Sequence, residues 1–372
     1  MWRRPEGDAR VYARGIPLSL RQGLVGGEAA AVSCCMSTMP VSLMDIVVNG
    51  YGASLRKKGN RFALEHGGEV QEFSADMVRQ FILSDSVSIT SGAMKLAAEK
   101  GIDIVVLSRS GMPVCRVYPC EPCGTVTTRK NQLAAASTAA GYHLSAAMVS
   151  AKVTNMANLL AALGKSRNNH DLRSAAEEIR RLADAIPPEG TPSMQGALIR
   201  GIEGRASRVY FAALSLVIPP DLYRGRRSQH PAEDVFNAYL NYCYGILYNE
   251  VEKACILAGL DPYIGFLHAE RYGKRSFVYD VIEQFRQPVV DRMVITLAVR
   301  GRMQREDTDE RWYLVGEGRR KAIASTLQRL DEERVIGGRT TSFRSAVLEN
   351  ARSIVNYLNE GAVFEPFVYR WG

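Results

Sequence analysis

No run of apolar residues in this chain reaches the roughly 18 that a membrane-spanning helix needs. The start, Met1 to Arg4, is basic, but no signal-type apolar core follows it. Glu28 interrupts the one candidate stretch, between Val25 and Val32. The expectation is a cytoplasmic protein with no membrane contact. A disulfide framework is lacking as well. The chain has seven cysteines, Cys34, Cys35, Cys115, Cys120, Cys123, Cys243 and Cys255, an odd count in a long chain. Cys120-Glu-Pro-Cys123 has the spacing of a zinc knuckle, yet no second Cys-x-x-Cys or His pair accompanies it. Cys34 and Cys35 would fill the set, but adjacent cysteines chelate one ion awkwardly. The expectation is reduced thiols in a turn. Internal repeats and low-complexity blocks are absent too.

What is present is an ordinary globular composition, 46% apolar and 23% charged, over 372 residues. That length allows two domains with real cores. The net charge is +8, and such an excess of Lys and Arg attracts phosphate backbones in a salt-sensitive way. Charge alone does not establish a nucleic-acid partner.

The pattern changes twice along the chain. Residues 1–42 are rich in Gly, Ala and Arg without a sustained period, which reads as a disordered tail or a misplaced start. Residues 43–127 read as short strands: Asp45-Ile-Val-Val-Asn-Gly, Arg61-Phe-Ala-Leu-Glu, Glu69-Val-Gln-Glu-Phe and Ile102 to Leu107. Gly67-Gly68 marks a hairpin, and one helix is expected from Ser91 to Lys100. Residues 128–372 turn helical. Leu172, Ala175, Ile179, Leu182 and Ile186 share one face of a helix that Pro187-Pro188 stops. Further helices are expected at about Ser193 to Val217, then 232–259, 277–300, 316–334 and 343–359. Between them, Asp221 to Pro231 carries Arg224, Arg226, Arg227 and His230 with no apolar period, and reads as a mobile basic loop. The fold class expected is α+β: a small N-terminal β-rich domain followed by a larger all-α catalytic domain.

Three short segments carry chemistry. Glu203 lies mid-helix among Leu198, Ile199, Ile202, Val209, Tyr210 and Phe211. A carboxylate near an apolar face is costly unless paired or metal-bound. Arg200 and Arg205 are available partners on the same helix, so both readings are open. His268 follows Gly-Phe-Leu in a turn between helices, where a lone His is either a solvated side chain or a ligand. Asp280 and Glu283 are three apart on a helix, with Arg286 one turn further along that face. Two carboxylates so placed repel unless a cation or an Arg lies between them. Together these groups suit a hard divalent cation held beside a phosphodiester.

In order along the chain, several strings match one family. They are Gly50-Tyr-Gly-Ala-Ser-Leu-Arg-Lys-Lys, Arg109-Ser-Gly, Ala151-Lys152-x-x-Asn155 and Glu203-Gly-x-Ala-x-x-x-Tyr-Phe. Asp234-x-x-Asn237-x-x-Leu-Asn-Tyr, Gly259-Leu-Asp-Pro-x-x-Gly-x-Leu-His268 and Asp280-x-x-Glu283-x-Phe-Arg286 follow. From about Leu43 to Gly372 the chain resembles the CRISPR-associated integrase family, the catalytic subunit of spacer acquisition. The resemblance implies that Glu203, His268 and Glu283 bind Mg²⁺ or Mn²⁺, with Asp280 as a further acidic catalytic position. Many members have Asp at the position of Glu283. It implies a homodimer acting on double-stranded DNA, two such dimers flanking a dimer of the small CRISPR-associated protein two. The implied reaction is 3′-hydroxyl attack on a phosphodiester, joining a short duplex to a repeat array. Arg271, Lys274, Arg275 and Arg286, with the basic loop at Arg224, Arg226 and Arg227, are expected to contact phosphates.

Residues 1–42 depart from the pattern, without the cysteine clusters of a fused nuclease domain; no Tyr-x-Asp-Asp motif of a fused reverse transcriptase appears. Three rivals stand beside this reading. One is a transposon integrase of the same superfamily, for which an added C-terminal DNA-binding domain is expected. The others are a stand-alone nuclease for branched DNA and a non-enzymatic DNA-binding scaffold.

Overall fold

The computed structural model describes residues 10–13, 43–49, 52–84, 87–117, 126–229, 231–267 and 274–371. The chain divides into two compact units: residues 1–109 with 113–120, and residues 110–112 with 121–372.

The first unit is built from β1 (Arg10–Ala13), β2 (Met44–Asn49), β3 (Ser54–Lys58), β4 (Arg61–His66), β5 (Glu69–Ser74), β6 (Val78–Ser84), β7 (Ser88–Ile89), α1 (Ser91–Glu99), β8 (Asp103–Leu107) and β9 (Pro113–Val117). One sheet has the order β1-β2-β6-β8-β9 and the other β5-β4-β3-β7. Alternation places Ile46, Val48, Phe81, Leu83 and Ile104 of the first sheet in one core with Leu55, Phe62 and Leu64 of the second. Phe62 meets Phe81 edge-on with ring centroids 4.8 Å apart, and α1 adds Ala93, Leu96 and Ala97. Thr90 caps α1 by accepting the N–H of Ala93. The hairpin expected at Gly67-Gly68 joins β4 to β5, both glycines at positive φ.

Four residues of the stretch read as patternless, Arg10–Ala13, pair antiparallel with β2 from Arg10↔Asn49 to Ala13↔Ile46. An unpaired sheet edge offers a row of N–H and C=O groups, and these four residues fill it. The rest of residues 1–42 lies outside the described residues, and so do Cys34, Cys35, Cys120 and Cys123. The expectation of thiols in a turn falls on residues outside the described ones.

The second unit holds α2 (Val126–Ala135), α3 (Ala139–Ser166), α4 (His170–Asp184), α5 (Pro192–Leu214) and α6 (Val235–Ala258). These are followed by α7 (Ser276–Ile282), α8 (Arg292–Val299), α9 (Gly316–Asp331), a hairpin of β10 (Glu333–Ile336) and β11 (Arg339–Ser342), and α10 (Phe343–Glu360). The hairpin was not foreseen. Among the described helices, α3 is long and apolar enough by length and mean composition to cross a membrane, although polar residues interrupt its apolar run. Its apolar window is 67% buried within the protein, and Lys152 and Asn155 lie on it, so it reads as the core helix of the unit.

The helix expected over 277–300 is not continuous. After α7 it tightens to a 3₁₀ turn at Glu283–Phe285, widens to a π turn over Arg286–Asp291, and resumes as α8. Pro288 explains the break. It has no N–H for the carbonyl of residue 284, and its ring crowds that carbonyl. Wide turns of this kind are frequent at functional sites.

Candidate active site

The helical unit contains a cavity of about 480 Å³ that reads as a charged floor under a basic rim. Lys152 of α3, Glu203 of α5 and Glu283 of the 3₁₀ turn lie on its wall with Arg208, Arg226, Arg227, Lys274 and Arg286. Glu203 and Glu283, eighty residues apart, converge on one point. Lys152 Nζ is 2.5 Å from Glu203 Oε1 and 2.5 Å from Glu283 Oε2. Arg286 Nη2 reaches the other oxygen of Glu283 at 3.0 Å.

This settles the two readings of Glu203 against pairing along its own helix. Arg205 pairs instead with Glu178 at 3.3 Å, and Arg200 donates to the carbonyl of Leu267 at 3.3 Å. Burial pulls the Lys152 ammonium toward neutrality, but the carboxylates of Glu283 and Glu203 outweigh it and hold its pKa above the usual lysine value. Burial acts likewise on Arg286, and the Glu283 carboxylate outweighs it and holds the guanidinium charged.

Asp280 and Glu283 are placed differently. Asp280 is buried, does not line the cavity, and accepts the N–H groups of Phe266 at 2.6 Å and Leu267 at 3.2 Å. A charged acceptor for two backbone donors is a strong anchor. Asp280 therefore holds the backbone that leads into position 268. Gly265 lies against it: a Cβ there would meet Ser276 Cβ at 2.7 Å and Asp280 Oδ2 at 3.2 Å. His268 and Arg271 themselves lie outside the described residues.

The expected phosphate contacts divide. Arg226, Arg227, Lys274 and Arg286 line the cavity, whereas Arg224 and Arg275 do not. Arg275 is committed to Glu252 at 2.7 Å. Arg226 bridges to Glu233 at 2.6 Å at the surface, and Lys274 lies 4.7 Å from the Tyr279 ring centroid. The loop that carries Arg224, Arg226 and Arg227 is lashed down, contrary to the mobile reading. Asp234 accepts the N–H of Arg224 at 3.1 Å. Asn237 accepts the N–H of Ser228 at 3.2 Å and donates to the carbonyl of Arg226 at 2.9 Å. Arg227 reaches Asn237 and Asn241, and burial lowers its pKa. The Asp234-x-x-Asn237 string thus has a physical purpose: it caps α6 and ties the rim to it.

Three contributors were missed from sequence. Arg208 lies on α5 beyond Glu203 and lines the cavity. Tyr244 forms part of the wall, with the guanidinium of Arg286 4.7 Å and that of Arg227 5.5 Å from its ring centroid. Its hydroxyl donates to Asp291, which also accepts from Tyr210 at 2.9 Å. Lys152 carried a signal, a lysine and an asparagine three apart in an apolar helix, but no role followed from it.

The donor set fits a divalent cation. Two carboxylates from different helices point at a single spot, where a cationic group stands between them. Among the described residues no cluster of three His, Cys, Asp or Glu forms; of the three expected ligands, Glu203 and Glu283 lie on the cavity wall and His268 falls outside those residues.

A two-sheet unit followed by a helical unit, with two acids and several arginines on one cavity wall, defines an α+β protein. Residues 46–328 match the family model described as CRISPR associated protein Cas1, and the chain belongs to that family. The CRISPR-associated endonuclease Cas1 1 of Archaeoglobus fulgidus is 35% identical over 348 residues, covering 88% of this chain and 100% of that protein. The CRISPR-associated endonuclease Cas1 of Korarchaeum cryptofilum is 29% identical, covering 68% of this chain and 76% of that one. Among solved structures, a CAS1 protein from Thermotoga maritima matches with TM-score 0.69 at 21% identity, over 86% of this chain and 97% of that one. A casposase bound to an integration product matches with TM-score 0.72 at 23% identity, over 87% and 92%.

Proposed function

We propose that this protein is a divalent-metal-dependent DNA endonuclease and strand transferase that joins short duplex DNA into a CRISPR repeat array. The observation that carries the reading is the meeting of Glu203 and Glu283 at one cationic point under an arginine-lined rim. Glu203, Glu283 and His268 would hold Mg²⁺ or Mn²⁺. When bound, the metal supplies Lewis acidity at a phosphodiester oxygen.

The chain's own groups do the rest. Arg286, held charged beside Glu283, and Lys274 and Arg208 on the wall offer donors to phosphate oxygens. Lys152, on α3, balances the acids and holds Glu203 of α5 and Glu283 of the 3₁₀ turn together. Positioning and electrostatics supply most of the acceleration in phosphoryl transfer, so fixed donors matter more than any single proton transfer.

Relatives named endonucleases support the nuclease part of this reading. The casposase bound to an integration product supports strand joining on the same fold, and it keeps a transposon integrase as the second reading. A Cas6-RT-Cas1–Cas2 complex with TM-score 0.72 at 18% identity, covering 87% of this chain and 36% of that one, supports the small protein two as partner. The assembly proposed is two homodimers of this chain around one partner dimer on double-stranded DNA, in the cytoplasm.

The test offers purified protein, with and without the partner, two DNA sets: a short duplex plus a repeat-bearing plasmid, and a branched junction. Joining of the duplex at the repeat is expected. Joining at sites unrelated to a repeat favours the transposon reading, and cutting of the junction alone favours a stand-alone nuclease.

A further inference from the structure

Several side-chain amides and the stretch of backbone after α10 converge beside the turn that bears Glu283. Asn155 lies on α3 one turn beyond Lys152 and is fully buried. Its Nδ2 donates to the carbonyls of Gln284 at 2.8 Å and Phe367 at 3.0 Å, and its Oδ1 accepts the N–H of Tyr369 at 2.7 Å. Asn158 donates to the Tyr369 carbonyl at 3.0 Å. The Gln284 side chain accepts the N–H of Phe367 at 2.7 Å and donates to Asn350 at 2.8 Å. Both polar backbone groups of residues 367 and 369 are thus taken up by side chains, the service a neighbouring strand would give. Rings reinforce the seat: Phe367 lies 4.6 Å from Phe285 and Tyr369 lies 5.3 Å from Phe343, centroid to centroid.

Gln284 and Phe285 are the two residues after Glu283. The Gln284 carbonyl is the one that Pro288 deprives of its helical donor, and Asn155 replaces that donor. The turn bearing Glu283 is therefore held from outside, by α3 on one side and the segment 367–369 on the other.

We propose that Asn155 and the segment Phe367–Tyr369 are positioning elements of the active site, setting where the Glu283 carboxylate stands without touching DNA or metal. The proposal rests on the reading of Glu283 as a site carboxylate. A displacement of about 1 Å at a reacting centre, caused from a distance, costs on the order of 100-fold in rate.

The test uses three variants of the full protein: Asn155→Asp, which keeps the shape and loses both donated bonds; Phe367→Ala; and a chain shortened to residues 1–365. Melting temperature, Mn²⁺ affinity by calorimetry, and kcat and KM for DNA cutting are measured well below the lowest melting point. The expected result is a kcat lower by on the order of 100-fold, an unchanged KM for DNA and weaker Mn²⁺ binding. A synthetic peptide of residues 362–372 added to the shortened chain should restore kcat. Variants that melt earlier but keep wild-type kcat and Mn²⁺ affinity would overturn the proposal, because a merely stabilising tail behaves that way. Should the shortened chain not fold, the two point variants carry the same readouts. Glu203→Gln serves as the control. If it keeps full activity, the site reading fails and takes this proposal with it. If it is dead while the tail variants are normal, only the proposal fails.

Discussion

Lys152 stands between two carboxylates, and its removal would leave Glu203 and Glu283 facing each other with little water around them. Breaking a buried charge pair from one side costs about 3–5 kcal/mol. Lys152→Met, studied in a chelator, should therefore unfold at markedly lower urea than wild type, with Mn²⁺ offsetting part of the loss. The pH dependence has a definite sign. Because the folded pKa of Lys152 is raised, its stabilisation is fully present below the ordinary value of 10.5 and fades as pH rises through the folded value. The two unfolding curves should stay apart through neutral and mildly alkaline pH and converge only beyond 10.5. Urea midpoints of equal size at pH 7 would contradict the pairing. At this scale sequence reading found both acids but not their counter-ion. An acid in an apolar helix announces that it needs a partner, and nothing in its own segment says that the partner comes from a helix fifty residues earlier. Asp280 shows the converse. Its spacing to Glu283 promised a shared face, and the turn between them sends it to the Phe266 and Leu267 amides instead.

Elements were legible where the pattern is local and hidden where tertiary contacts decide. The apolar period and the Pro187-Pro188 stop located α4, and the strands around Gly67-Gly68 formed as read. The break at 283–291 was written in Pro288, but a single proline inside a long apolar helix leaves open whether the chain kinks, ends or widens. The rim loop was misread because its composition is that of a free loop. Its restraint comes from Asp234, Asn237 and Asn241 on the next helix. Trypsin should accordingly cut slowly after Arg224, Arg226 and Arg227 in the native protein. Asn237→Ala removes the acceptor for Ser228 and the donor to Arg226, a loss of about 1–3 kcal/mol of local anchoring. Cleavage there should then rise about tenfold or more, following the open population. Mass mapping of the nicked products checks this, and equal cutting of both proteins would restore the mobile reading.

For the molecule as a whole, the two-part α+β order was plain from the change of period near residue 128, while the strand at Arg10–Ala13 was not. Four residues cannot show a period, and their structure comes from the sheet edge that they complete. The +8 charge belongs to this scale too. Much of the rim charge is partnered at the surface or in the wall, yet the cavity keeps a basic majority around its acids. Duplex DNA should bind with an affinity whose logarithm falls linearly with log salt, with a slope of about −0.9 per phosphate neutralised. Fluorescence anisotropy across a salt series measures it, and a flat line would show that backbone charge is not what attracts DNA.

Glu203 and Glu283, with His268, are proposed to form a divalent-cation site that works on DNA strands. The most direct measurement follows cutting or joining of a labelled duplex by wild type, Glu203→Gln, His268→Ala and Glu283→Gln, each confirmed folded, across a Mn²⁺ titration and in EDTA. Wild-type activity should saturate with Mn²⁺ and vanish in EDTA, and each variant should lose activity on the order of 100-fold or more. Wild-type activity that survives EDTA, or a Glu203→Gln or Glu283→Gln protein as active as wild type, would contradict the proposed cation site.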